Sequence, residues 1–148
     1  MVSHAFHDLV LNHTNNSSGW DKEQHPGKIA VLEHALAECK KDGITLVIAA
    51  GNEGQHLTLD SLIPQTYGTD DRFEMITVGG VDNAGKYYAK TIQGTGQGGQ
   101  VDIYAGAVGV VAAKHDEADD STLAGDGTSL AAPAIVSICH HLCSSRTC

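Results

Sequence analysis

Two residues of this sequence could form the working parts of an acyl-transfer site. Ser129 lies in Gly127-Thr128-Ser129-Leu130-Ala131-Ala132-Pro133, a run of small residues opening a helical segment. Gly127 allows close backbone approach, and Ala131 and Ala132 allow tight helix packing. The free N–H groups and dipole of a helix N-terminus favour negative charge on a bound acyl oxygen. Asn52 lies in Ala49-Ala50-Gly51-Asn52-Glu53-Gly54, at the carboxyl end of an apolar run. That end is where open α/β sheets place ligands. A hydroxyl nucleophile and an amide donor are two components of such chemistry. Taken singly, each residue has a plainer reading: Ser129 as an ordinary helix cap, and Asn52 as a turn residue.

The elements that must position them are legible in the hydrophobic pattern. Pro26 suits a first helical turn, and Ile29, Leu32, Leu36 and Cys39 follow on one face, with Gly43 placed to end the helix. Residues 44–50 form an apolar run that reads as a strand covered on both faces, as does Met75–Val81. Shorter strands are predicted over Val2–Phe6, Val101–Ala105 and Val108–Ala113, and a final helix from Ser129 to about Leu142. A polar loop fills 7–25 and an acidic loop 114–122. The alternation predicts an α/β fold.

Two glycine patterns invite a nucleotide reading that their context opposes. Gly94-Thr-Gly96-Gln-Gly98-Gly99 follows a polar segment and precedes a strand, the reverse of the dinucleotide fingerprint. Gly80–Tyr87 approximates a phosphate loop but has Tyr87 where a metal-binding hydroxyl belongs, so a turn is expected.

The four motif segments Ala50–Gly54, Ile76–Gly79, Val101–Ala105 and Gly127–Pro133 together resemble the subtilisin-like serine protease family, the subtilases, in order and spacing. The resemblance implies a three-layer α/β fold with a mostly parallel sheet, incomplete here, with residues 1–148 as the carboxyl-terminal part of a peptidase domain. It implies Ser129 as nucleophile and Asn52 as oxyanion donor. Ala50, Gly51, Gly127 and Thr128 would contact substrate, and Ala5, within Val2–Phe6, would pair with an extended peptide. The family's Asp-Ser/Thr-Gly and His-Gly-Thr segments do not occur in this sequence. A serine hydroxyl is a weak nucleophile without a base. In subtilisin itself loss of the triad costs about 2 × 10⁶ in turnover. The chain alone is therefore expected to be inactive, with the missing amino-terminal half as a partner. A non-catalytic peptide-binding module and a truncated product are the alternatives.

His7 stands where the family has a small residue, Ala105-Gly106-Ala107 departs from the usual Ala-Pro-Gly, and residues 139–148 diverge into a Cys/His tail. None of the nine histidines has the context of the family's base, and His34 reads as a surface residue. Four cysteines allow three disulfide pairings. Cys139-His140-His141-x-Cys143 holds metal-ligand types but lacks a second ligand pair, so neither metal nor cofactor is expected.

Composition narrows the partners. With 9 basic and 18 acidic residues in 148, the net charge of −9 disfavours nucleic acid and anionic membrane surfaces. No apolar run approaches the roughly 20 residues that span a bilayer. Met1-Val2-Ser3-His4 does not read as a signal peptide, whereas the family resemblance implies a secreted enzyme and gives meaning to the sequons at Asn12, Asn15 and Asn16. The expected partner is a peptide or protein substrate.

Overall fold

The computed structural model describes residues 26–113 and 122–144, with side chains to Leu142. The predicted strand at 2–6 with Ala5, the loop at 7–25, residues 114–121 and the end of the Cys/His tail lie outside the described residues.

Helix α1 spans Pro26–Lys41 and buries Ile29, Leu32 and Leu36, three of the four residues whose spacing predicted it. The fourth, Cys39, is half-buried, and His34 is exposed. The chain then enters a parallel sheet of three strands, β1 (Leu46–Ala49), β2 (Met75–Val81) and β3 (Ile103–Gly106), in that spatial order. Ala49 lies opposite Val78, and Val78 opposite Ile103. Helix α2 spans Thr128–Ser144.

Alternation along the strands distributes side chains to two cores. Leu46, Ile48 and Met75 pack with Leu32 and Leu36 of α1, together with Tyr67 and Phe73. Val47, Ile76 and Val78 pack with Ala131 and Ile135 of α2. The sheet is thus sandwiched between helices, the three-layer arrangement expected. A third cluster, Ala50, Leu59, Leu62 and Ile92, closes the carboxyl end of β1. Among the described residues no helix is long and apolar enough to cross a membrane.

Three elements differ from expectation. β1 is half-buried throughout rather than covered on both faces, because it lies at one edge of the described sheet. The strand predicted at 101–105 starts only at Ile103. Ahead of it, the Asp102 carboxylate accepts the Thr77 N–H at 2.8 Å and takes the place of a ladder bond. The strand expected over 108–113 begins at Val110, as β4 (Val110–Ala113). It pairs antiparallel with β5 (Thr122–Gly125), outside the main sheet. β5 has no sequence signature, since Thr-Leu-Ala-Gly carries little strand propensity and is shaped by its pairing.

The glycine segments behave as their contexts required. At 82–86, Asp82 Oδ1 accepts the N–H groups of Ala84 and Lys86, closing a turn. In the 94–99 segment, the Asp60 carboxylate accepts the N–H and hydroxyl of Thr95 and the N–H groups of Gly98 and Gly99. The Thr95 N–H contributes most to holding this carboxyl at a pKa of about 2.

Candidate active site

The site begins where β1 stops. The Ala50 N–H makes the last ladder bond, to Val78 O at 2.9 Å, and Ala50 is fully buried. Gly51 then takes φ +100, where a β carbon would sit 2.7 Å from Ile92 Cδ1. Only glycine turns the chain here without strain or collision. The turn delivers Asn52 to the surface, and the Glu53 carboxylate accepts the Asn52 N–H at 2.9 Å.

The second half of the site is the start of α2. Gly127 donates its N–H to Ala107 O at 2.8 Å, and Ala107 donates to Val81 O at 2.8 Å, which ties the helix entry to the end of β2. Thr128 is fully buried and Ser129 is exposed. Ser129 lies inside the helix rather than at its cap position.

Asn52 joins the two halves. Its Oδ1 accepts the Thr128 N–H at 2.9 Å and the Thr128 hydroxyl at 3.2 Å. The Thr128 Oγ1 in turn accepts the Gly51 N–H at 3.0 Å. Asn52 is thus neither an idle turn residue nor a local cap: it caps α2 from a position 76 residues earlier. Both Thr128 groups are donors, so the oxygen of the amide must face them and Nδ2 must face away.

The Asn52 carboxamide flanks the space over Gly127. A β carbon at Gly127, whose φ is +153, would lie 3.3 Å from Ser129 Oγ, 3.5 Å from Asn52 Nδ2 and 3.6 Å from Asn52 Oδ1. The amide nitrogen and the serine hydroxyl therefore meet across this glycine, in space that any side chain would fill. Neither group, nor the Ser129 N–H, has a hydrogen-bond partner among the described residues. Two unengaged donors beside an exposed hydroxyl at a helix N-terminus have the chemistry to accept a negatively charged oxygen as partner.

Beside this point lies an open groove of about 470 Å³, lined by Val47 and Ala49 of β1 and by Ser129, Ala132, Pro133, Val136 and Ser137 of α2. Pro133 has no N–H to offer the Ser129 carbonyl.

Gly51, Asn52, Gly127, Thr128 and Ser129, singled out in the sequence, come together. Ala50 backs them from the core. Gln65 was not anticipated: its Nε2 donates to Ala49 O at 3.0 Å, an approach made by the loop between β1 and β2 and without local sequence signal. Cys39 and Cys139 are free, and no group of three metal-ligating side chains converges among the described residues.

Comparison with known proteins follows the same lines. The subtilase family model matches residues 10–145. No curated protein sequence matches. Among solved structures, the prenylagaramide maturation protease PagA is 26% identical with a TM-score of 0.59, the match covering 74% of this chain and 35% of PagA. The patellamide maturation protease PatA is 28% identical with a TM-score of 0.57, covering 72% and 35%. The patellamide maturation protease PatG, at 20% identity and a TM-score of 0.59, shares the fold, with 74% and 31% covered. The chain thus spans about a third of the length of these structures.

Proposed function

The chain belongs to the subtilase family, and on that premise we propose that it carries the nucleophile and oxyanion side of a serine endopeptidase site. The carrying observation is the meeting of Ser129 Oγ and Asn52 Nδ2 over Gly127. Ser129 Oγ attacks the carbonyl carbon of a peptide bond. The oxygen, now negative, takes hydrogen bonds from Asn52 Nδ2 and the Ser129 N–H. Thr128 engages the amide oxygen, which leaves the nitrogen as the donor for the reacting group. Collapse of the intermediate expels the amine and leaves an acyl-serine for water to hydrolyse.

The proton from Ser129 needs a base, and none hydrogen-bonds its Oγ among the described residues. In this proposal the Asp and His come from the remainder of a subtilase domain, the partner of this stretch. PagA and PatA are maturation proteases, which supports a peptide or protein as substrate. A secreted location belongs to the same proposal and rests on family alone. The unpaired hydroxyl also favours a second reading, a cleft that binds extended peptide without cleaving it.

A fluorophosphonate probe separates the two. We expect Ser129 to be labelled, and peptide cleaved, only when the chain is combined with an Asp- and His-bearing subtilase segment, and Ser129→Ala to abolish both. Failure of labelling in the combined protein would leave the peptide-binding reading.

A further inference from the structure

β1 meets β2 through its even-numbered residues: the Leu46 N–H donates to Glu74 O and the Ala50 N–H to Val78 O. In a parallel ladder the N–H and C=O of one residue point to the same side. Those of Val47 and Ala49 therefore face the other edge, which pairs with no strand among the described residues. At that edge the Ala49 carbonyl accepts a hydrogen bond from Gln65 Nε2 at 3.0 Å. The peptide unit between Ala49 and Ala50 is thus held at both ends, its carbonyl by Gln65 and its N–H by Val78.

This peptide unit is the last one before the chain turns at Gly51. Glycine rotates freely and takes φ +100 here, so hydrogen bonds on either side must fix the direction in which the chain leaves. On the far side, Thr128 Oγ1 accepts the Gly51 N–H, the Ile92 N–H donates to Gly51 O at 3.3 Å, and Glu53 accepts the Asn52 N–H. On the near side the bonds are those of Val78 and Gln65. Among the described residues, Gln65 supplies the hold from the open edge.

The Gln65 amide is oriented by chemistry. Ala49 O only accepts, so Nε2 faces the strand and Oε1 is left over, buried and without a donor among the described residues. Gln65 does not line the groove beside Ser129, so it belongs to the frame of the site rather than to its binding surface. A buried acceptor without a donor lowers stability, and folded proteins keep few of them. A hydrocarbon of the same size would remove the orphaned oxygen together with the bond to Ala49, close to an even exchange for the fold.

We propose that Gln65 is a positioning residue: through the Ala49 carbonyl it fixes the peptide plane from which the chain turns to present Asn52. The inference rests on the acyl-transfer reading, in which Asn52 Nδ2 must meet the developing oxyanion in a preorganised geometry. Without the Gln65 bond the plane between Ala49 and Ala50 rotates, Gly51 passes the rotation on, and the amide loses its aim. Binding along the groove is unaffected, because no lining side chain is altered.

Gln65→Met and Gln65→Leu, close in volume and without polar atoms, test this. Their melting temperatures should match that of the unsubstituted chain. In the protein completed with an Asp- and His-bearing subtilase segment, kcat on a peptide substrate should fall about tenfold with KM nearly unchanged. In the ¹⁵N-labelled chain by itself, amide hydrogen exchange at Ala50 and Gly51 should quicken about tenfold. Lowered melting temperatures in both variants, an unchanged kcat, a raised KM or unchanged exchange overturns the proposal. Exchange requires no chemistry at Ser129. Quickened exchange without fluorophosphonate labelling of the unsubstituted completed protein therefore sinks the endopeptidase reading alone. Labelling, with kcat unchanged in both variants, sinks this inference alone.

Discussion

The N–H and the hydroxyl of Thr128 both donate to one atom, Asn52 Oδ1, at 2.9 and 3.2 Å. A helix start and a strand end are thereby joined through a single carboxamide. Its oxygen is engaged within the fold, while its nitrogen has no partner among the described residues and is the donor of the proposed site. Two functions of one side chain can therefore be separated by substitution.

Asn52→Asp keeps an acceptor for Thr128 and adds negative charge at the start of α2, where the helix dipole favours it. Its melting temperature should equal or exceed that of the unsubstituted chain. Turnover by the completed enzyme should fall by about 10²–10³, the loss that removal of this kind of donor produces in subtilisin itself. Asn52→Ala should lose both properties. Comparing melts and rates for the pair checks this, and a destabilised Asn52→Asp would refute it.

Thr128→Val deletes the hydroxyl that accepts the Gly51 N–H and donates to Asn52. The Gly51 N–H is left without a partner among the described residues, while Asn52 Oδ1 keeps the Thr128 N–H. Destabilisation of about 1–3 kcal/mol is expected. Thr128→Ser should recover most of it. Chemical denaturation of the two variants measures the difference.

Gly51→Ala combines a positive φ of +100 with a β carbon 2.7 Å from Ile92 Cδ1. The strain should cost about 1–3 kcal/mol. Because Ile92 is fully buried among Ala50, Leu59 and Leu62, Ile92→Val should relieve part of the collision. A double-mutant cycle with a coupling near zero would show that backbone strain alone accounts for the loss.

Asp60 gives a pH signature. Its carboxylate collects hydrogen bonds from Thr95, Gly98 and Gly99, and its folded pKa is lowered from 3.8 to about 2. A depressed carboxylate pKa stabilises above the unfolded value. The stabilisation is lost as pH falls through the interval between about 4 and the folded pKa. The melting temperatures of the unsubstituted chain and Asp60→Asn should differ most above pH 4 and converge towards pH 2. A gap that persists at the acid end would contradict this origin.

Much of this architecture is written locally. Helix α1 follows from Ile29, Leu32 and Leu36 at helical spacing, and β2 from an apolar run of strand length. Ser129 and Asn52 stand out in the sequence through small-residue surroundings that allow close backbone approach, together with the family resemblance that gives them roles. The rest depended on contacts distant in sequence. No local feature of Thr128 specifies that it grips Asn52, nor of Gln65 that it reaches Ala49 across the β1–β2 loop. β5 was likewise invisible, since its pairing with β4 supplies what its residues lack in propensity.

The sequence by itself determined which groups could do chemistry, because hydroxyl, amide and glycine are properties of residues. The tertiary structure decided how they face one another. Only the packing of β1, β2 and α2 brings the Asn52 carboxamide and the Ser129 hydroxyl to the same side of Gly127, and only Thr128 decides which amide atom is left without a partner among the described residues. Orientation of that kind depends on where donors from remote segments fall, and no spacing along a chain encodes it.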